Sequence, residues 1–227
     1  MKTLAVVCAR KGSARLAGKH WKKINETPMF KLVLEAAHKS IAAATIVSTD
    51  DERMLKWVKA RGWLTSVRDP EFCTDTASIH HALIQVVRSV EARGFRFDAV
   101  ACLPANVPTT TAKLINKCIR TYQSDHLATS AITVKPACCL PEWMWTKARF
   151  LQRCHPEIKK YRVQDFPERY IATGSCAVVG RDILMACKSD EAFAWLGKHI
   201  IPVEDVHAIE VHDLDDLKRA RAWLRKK

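Results

Sequence analysis

The chain predicts an α/β fold built on a mostly parallel sheet, and three observations carry that expectation. Apolar runs of strand length alternate with stretches of helical spacing along the sequence. The first run, Thr3–Ala9 (TLAVVCA), is apolar almost throughout, as a strand covered on both faces must be. It passes at once into Arg10–Lys19 (RKGSARLAGK), which sets cations and glycines at the carboxyl end of a strand. Open α/β sheets take their ligands at that end.

The elements follow in order. Pro28–Lys39 has helical spacing through Met29, Leu32, Val33 and Ala36. Ala44–Ser48 reads as the second strand, running into Thr49-Asp50-Asp51, where one aspartate should cap the helix Glu52–Arg61. Leu64–Val67 is a short strand. Ser78–Arg93 is an amphipathic helix with Ile79, Leu83, Val86, Val87 and Val90 on one side, and His80-His81 early in it read as surface residues. Ala99–Leu103 is another buried strand, followed by Pro104-Ala105-Asn106-Val107-Pro108 and by a helix that Thr110 or Thr111 can cap. Leu127–Lys135 is strand-like. From Pro136 to Arg169 the pattern breaks into prolines, paired cysteines, tryptophans and charges, with weak period-2 stretches at Met144–Thr146 and Phe150–Arg153. That is the pattern of an excursion from the main sheet, a hairpin arm used as a lid or as a dimer contact. Ser175–Gly180 returns to the sheet, Ile200–Val203 and Ala208–Val211 read as late strands, and Asp213–Arg225 is the closing helix, with Asp215 and Asp216 favourably placed in its first turn.

Composition narrows the class. At 227 residues the chain suits a single domain, residues 1–227, with about 136–170 as the inserted arm. No apolar run reaches membrane-spanning length, and Lys2 followed by a short hydrophobic stretch makes a poor signal peptide, so a cytoplasmic protein away from membranes is expected. Nine cysteines, odd in number and without a C-x-x-C pair, form neither a disulfide framework nor a zinc ribbon. Cys8, Cys102, Cys118 and Cys176 lie in apolar stretches and read as core residues. A net charge of +13 fits an acidic partner, nucleotide or acidic sugar. The cations cluster in the first loop, in Lys159–Arg169 and in Lys218–Lys227, not in a stripe interleaved with aromatics, and Trp143, Trp145 and Trp195 are not spaced as a stacking platform, so nucleic acid is disfavoured.

The chemistry concentrates in the first loop. Arg10, Lys11, Arg15 and Lys19 can make charge-assisted bonds to phosphate oxygens, Ser13 offers a hydroxyl, and Gly12 and Gly18 let backbone N–H groups approach closely. The segment reads as a triphosphate cradle. It is not a Walker A loop, because Gly12 and Gly18 stand too far apart and His20 follows Lys19 where Ser or Thr belongs, and it is not G-x-G-x-x-G.

Five collinear segments carry a family likeness. Ala9–His20 (ARKGSARLAGKH) resembles the A-R-x-x-S-x-R-L-P-G-K-N loop of the nucleotide-sugar cytidylyltransferases, the group of the CMP-sialic acid (acylneuraminate) and CMP-KDO synthetases. Ile46–Asp51 (IVSTDD) is similar to their I-V-S-T-D-D element. Val67–Glu71 with Thr74–Ser78 (TDTAS) resembles the R-P-x-x-L-x-x-D-T-A-S stretch of the sialic acid branch. Tyr170–Val179 stands in the place of the P-N-G-A-I-Y strand, and Ile209–His212 followed by Asp215-Asp216-Leu217 resembles the closing I-D-I-D-x-x-x-D-L.

The resemblance implies a three-layer, mostly parallel, Rossmann-like nucleotidyltransferase sheet whose small inserted hairpin serves as a dimerisation arm, giving a homodimer. It implies transfer of CMP from CTP to an acidic 2-keto-3-deoxy sugar with Mg²⁺ as cofactor, Mn²⁺ being the alternative. Arg10, Arg15 and Lys19 would be catalytic. Nucleotide would be bound by Ala9, Arg10, Lys11, Gly12, Ser13, Arg15, Lys19, Arg68, Asp75 and Ser78, the base by backbone groups near Val7–Arg10 and Asp75–Ser78. Asn106, Thr173 and Gly174 would hold the sugar, and Glu210, His212 and Asn106 the metal. Three departures stand out: Asn106 and His212 occupy places where the family has metal-binding aspartates, and His20 replaces the loop's final Asn. Mg²⁺ prefers hard oxygen ligands, so a related nucleotidyltransferase of different base or acceptor, or a weakly active nucleotide-binding homologue, remains the alternative.

Overall fold

The computed structural model describes residues 1–13, 15–160 and 162–225. Ala14 of the first loop, Tyr161 of the arm and the last two lysines of the closing basic cluster, Lys226 and Lys227, lie outside the described residues.

In chain order the elements are β1 (Thr3–Ala9), β2 (Lys23–Ile24), β3 (Thr27–Pro28), α1 (Met29–His38), β4 (Ala44–Thr49), α2 (Glu52–Lys59), β5 (Leu64–Val67), α3 (Ile79–Glu91), β6 (Ala99–Pro104) and α4 (Ala112–Gln123). There follow β7 (Ser130–Pro136), β8 (Trp145–Lys147), β9 (Leu151–Arg153), β10 (Tyr170–Gly180), α5 (Arg181–Ala186), β11 (Ile200–Glu204) and α6 (Leu214–Leu224). Seven strands form one sheet in the order β11-β7-β10-β6-β1-β4-β5. All neighbours are parallel except β10, which runs antiparallel to both β6 and β7. The mostly parallel expectation therefore holds, with the strand after the arm reversed.

Helices cover both faces, which is why β1 is buried at every position. One face packs Phe30 and Val33 of α1, Met54 and Val58 of α2, and Ile115 and Cys118 of α4 against Ala5, Val7 and Ala9. The other packs Leu83, Val86 and Val90 of α3 and Leu184 of α5 against Leu4, Val6 and Cys8. Burying one such large apolar side chain contributes about 1.5–3 kcal/mol, so these two layers fix the sheet on which the loops sit. Cys8, Cys102, Cys118 and Cys176 are buried as expected.

A third, smaller cluster bears directly on the first loop. Leu16 packs with Ile24, Met29, Val211, Leu217 and Ala220, so α6 and the β2–β3 hairpin grip the loop from below. Asn25 and Glu26 turn that hairpin with φ of 47° and 63°, and the Asn25 amide donates to the Leu224 carbonyl at 3.1 Å.

Three sequence expectations are corrected. Ala208–Val211 is not a strand among the described residues; its backbone goes instead to the turn after β6, Ile209 N–H donating to Thr109 Oγ1 (3.1 Å) and Val211 N–H to the Asn106 carbonyl (2.8 Å). The segment has lost a ladder and gained a place beside Asn106. His80 is not a surface residue but fully buried, with His81 half-exposed. The strand expected from Leu127 starts at Ser130, because the stretch before it is a turn with Leu127 exposed. The arm contains the two-stranded hairpin β8–β9, with Trp145 paired to Arg153.

Candidate active site

The carboxyl ends of β1, β4 and β6 lie side by side, because β1 pairs with both neighbours in parallel register. Each end is followed by a polar segment, and the three segments converge.

The first loop is held at several points. Gly18 takes the left-handed conformation (φ 59°) that turns the chain into the short 3₁₀ turn Lys19–Trp21, a conformation that favours glycine. Lys11 N–H donates to Asp50 Oδ1 at 2.6 Å. Trp21 Nε1 donates to Asp51 Oδ2 at 2.7 Å, and Arg53 covers the indole face with its guanidinium 3.9 Å from the ring centroid. The other oxygen of Asp51 accepts from the backbone N–H groups of Arg53 (2.9 Å) and Met54 (3.2 Å), capping α2. Of the adjacent aspartates, Asp51 is thus the cap and Asp50 the loop tether.

His20 lies beneath the loop, 6 % exposed. Its ring bonds to the backbone of Ala105, next to Asn106, while Nδ1 finds no partner among the described residues. Burial, reinforced by the Lys19 charge, pushes its pKa down to about 4. Where the resembled motif has Asn, this chain buries a neutral imidazole that ties the first loop to the end of β6.

The cations gather on one side. Arg10 donates to the Cys73 carbonyl (3.2 Å) and pairs with Asp75, so Asp75 holds Arg10 through its carboxylate. Arg15 Nη2 lies 2.9 Å from His212 Nδ1. Burial, above all, lowers the Lys19 pKa; Glu210 opposes the shift, and the nearby Arg10 and Arg15 charges add to it. Arg10, Arg15, Lys19 and Glu210 therefore share one neighbourhood. Ala9 is buried at the end of β1, Gly12 has open space around it, and Ser13 is half-buried in the loop.

The closing segment supplies the acid. Asn106 Nδ2 donates to Glu210 Oε1 at 3.0 Å, and His212 Nε2 is 3.3 Å from Glu210 Oε2. Arg15, His212, Glu210 and Asn106 form a continuous chain of contacts in which both nitrogens of His212 are engaged. Gly174, at φ 71° in the irregular stretch of β10, faces this group: a Cβ built there would lie 3.4 Å from Glu210 Oε2. Asp216 Oδ2 accepts from His212 N–H (3.0 Å), and Asp213 caps α6, so these aspartates orient the segment.

Other expected site residues stand differently. Thr173 is buried with its hydroxyl 2.8 Å from Thr133 Oγ1 and 3.2 Å from Asp205 Oδ2, inside a polar network that also takes Ser175, and not beside Glu210. Arg68 is a buried cation bonded to the Ser48 hydroxyl (3.3 Å) and carbonyl (3.2 Å) at the end of β4, close to the Cys8 thiol. Ser78 precedes α3, with its hydroxyl 2.7 Å from His80 Nδ1. Sequence reasoning missed Asp50, Trp21 and Asp51 as the residues that hold the loop; only the D-D pair ahead of a helix carried a signal.

A nucleotide-type α/β sheet with a tethered basic loop facing one carboxylate is the class this geometry defines. A family profile described as Cytidylyltransferase matches residues 4–139. The chain belongs to the cytidylyltransferase family. It is similar to the CMP-N,N'-diacetyllegionaminic acid synthase of Legionella pneumophila, 26% identical over 148 residues that cover 63% of this chain and 62% of that one. A shorter stretch of 57 residues, 25% of this chain and 22% of the relative, is 44% identical to the 3-deoxy-manno-octulosonate cytidylyltransferase of Pseudomonas syringae. The match to the Legionella relative spans about three fifths of that protein's length. Among solved structures, a CMP:2-keto-3-deoxy-manno-octonic acid synthetase complexed with CTP superimposes over 100% of this chain and 99% of its own, with a TM-score of 0.75 at 20% identity. The fold is shared with 4-diphosphocytidyl-2C-methyl-D-erythritol synthase as well, at a TM-score of 0.66 and 12% identity, covering 99% and 98% of the two chains.

Proposed function

We propose that the chain transfers CMP from CTP to an acidic 2-keto-3-deoxy sugar, of the sialic acid or KDO type, with release of pyrophosphate. The observation that carries this reading is the convergence of Arg10, Arg15 and Lys19 on the Glu210–Asn106 pair at the carboxyl ends of β1 and β6. Family membership supports the nucleotide, and the acid sugars in the names of the Legionella and Pseudomonas relatives support the acceptor class.

In this reading the anomeric hydroxyl oxygen bonds to the α-phosphorus as the bond to the bridging oxygen of pyrophosphate breaks. The hydroxyl proton passes to a carboxylate oxygen of Glu210, which His212 orients. Arg10, Arg15 and Lys19 hold the β- and γ-phosphates and offset the charge that builds on the leaving group, so the chain's contribution is positioning and electrostatics. Ser13 and loop N–H groups complete the cradle, Arg68 and the Asp75–Ser78 segment border the nucleoside side, and Asn106 with the backbone at Gly174 borders the sugar.

The donor set fits a Mg²⁺ that arrives with the triphosphate, because it offers one carboxylate, Glu210, and one amide oxygen, from Asn106 with its amide turned. His212, engaged through both ring nitrogens, orients Arg15 and Glu210 instead of offering a free ligand atom. The bound ion would add positive charge at the phosphates.

A homodimer belongs to the same proposal. Trp145, Phe150 and Leu151 on the β8–β9 hairpin are 55%, 71% and 64% exposed, an apolar surface that a second copy would cover. One observation favours a weakly active, nucleotide-binding homologue as the second reading: both Glu210 oxygens are already engaged, by Asn106 and His212.

Arg15→Ala and Lys19→Ala test the cradle. Each removes a charge-assisted phosphate bond of about 1.5–3 kcal/mol, so kcat/KM for CTP should fall by roughly ten- to a hundredfold with the fold intact. Nucleotide affinity retained in full by both variants would remove the cradle. Affinity lost from a parent protein without turnover would favour the second reading.

A further inference from the structure

His80, His81 and Asp190 meet at the amino end of α3. His80 is 1 % exposed, and its Nε2 finds no hydrogen-bond partner among the described residues. That atom lies 3.9 Å from Asp190 Oδ1, and His81 Nε2 lies 2.7 Å from the same oxygen. The three donor atoms fall within 4.8 Å of one another. We propose that His80 Nε2, His81 Nε2 and an Asp190 carboxylate oxygen form a binding site for a borderline divalent transition cation of the Zn²⁺ type.

The chemistry of the set selects the ion. Two imidazoles and one carboxylate suit Zn²⁺ and its neighbours and not Mg²⁺, which wants hard oxygens. A metal-binding imidazole donates its other N–H to an outer partner, which fixes the ring and leaves the ligating lone pair free. His80 has that partner: the Ser78 hydroxyl is 2.7 Å from Nδ1. His81 is held by Phe72, stacked at 5.4 Å between ring centroids and 14° between planes.

The geometry needs little change. Tetrahedral Zn²⁺ with bonds of about 2.0–2.1 Å spaces its donors about 3.4 Å apart, and the observed 2.7 and 3.9 Å fall on either side of that spacing. Asp190 is largely solvent-exposed, which leaves the fourth position open to water. A His81–Asp190 ion pair alone would satisfy the two exposed groups and leave a buried nitrogen unpaired, a costly arrangement. A bound cation satisfies all three.

The site would also fasten two walls together. Asp190 lies in the segment between α5 and β11 that carries Phe193 and Trp195. These two rings, with Ile79 of α3 and Gly174, line an apolar cavity of about 160 Å³. Cation binding would join that segment to the start of α3, beside Ser78.

The test is a titration of the metal-free, full-length protein with Co²⁺, read by its visible d–d absorption, with Zn²⁺ displacement and thermal unfolding in parallel. The expected result is one tetrahedral Co²⁺ per chain without a thiolate charge-transfer band, displaced by Zn²⁺. His81→Ala, at a half-exposed position, and Asp190→Ala, at an exposed one, should each weaken binding by at least about tenfold. They should also remove the rise in Tm on adding Zn²⁺, with metal-free Tm unchanged. A Cys138→Ser, Cys139→Ser, Cys154→Ser triple variant should bind as the parent does, since those exposed thiols are the competing ligands. Binding that survives in both the His81 and Asp190 variants, or a thiolate band that disappears in the cysteine variant, overturns the proposal. None of these readouts requires turnover, so they stand apart from the assignment of CTP and sugar.

Discussion

Replacing Asp51 by alanine should destabilise the protein, whereas the same change at Asp50 should impair the site and leave stability alone. Asp51 is 9 % exposed and accepts three hydrogen bonds, two from the first turn of α2 and one from the Trp21 indole. Loss of an N-cap costs about 0.5–2 kcal/mol. A partly buried indole N–H left without an acceptor adds about 1 kcal/mol or more. The sum, about 1.5–3 kcal/mol, corresponds to a fall in Tm of roughly 3–12 °C for a chain of this size. Asp50 is half-buried, and its tie to the first loop is the single bond from Lys11 N–H at 2.6 Å. Asp50→Ala should therefore keep Tm within a degree or two while weakening CTP binding several-fold, because the loop backbone is no longer held. Thermal unfolding and nucleotide titration of the two variants side by side measure both effects. An Asp51→Ala protein that melts with the parent would refute the assignment of Asp51 as the residue joining loop to helix.

Two further outcomes follow from the same geometry. His20 has a folded-state pKa of about 4 against 6.5 unfolded, so the unfolded chain binds the extra proton between those values. The contribution of its neutral form is fully present above pH 6.5 and is lost as pH falls toward 4, by up to roughly 3 kcal/mol; urea midpoints across that window should fall more steeply for the parent than for His20→Asn, and equal slopes would contradict the burial account. On the hairpin, Trp145→Ser with Phe150→Ser should convert a dimer to monomer without lowering the Tm of the monomer, as sedimentation would show; a parent that sediments as a monomer at micromolar concentration removes the arm's proposed role.

The order of the sheet's strands along the chain, the first loop and the rough extents of α1–α4 and α6 were legible because they depend on local signals, whereas the short α5 was not read. A buried run reads as unbroken apolar sequence, and a cap reads as Asp or Thr before a helical stripe; Asp51, Thr111 and Asp213 all behave so. The reversal of β10 was not legible, because SCAVVG is equally apolar in either direction. Ala208–Val211 was misread as a strand because an alternating apolar sequence looks the same whether its backbone pairs with a strand or with the Asn106–Thr109 turn. Burial of His80 was hidden by its histidine neighbour, and the commitment of Thr173 to Thr133 and Asp205 arises from residues more than thirty positions away. The coupling of Arg15 to His212 spans nearly the whole chain, so no spacing rule could show it.

The central claim is tested most directly by pyrophosphate release from CTP, GTP, ATP and UTP against a panel of free acidic 2-keto-3-deoxy sugars, with Mg²⁺ and with Mn²⁺. The account predicts release with CTP and at least one such sugar, dependent on divalent cation and lost in Glu210→Gln. Release that favours another nucleotide, or that needs no acid sugar, would contradict it.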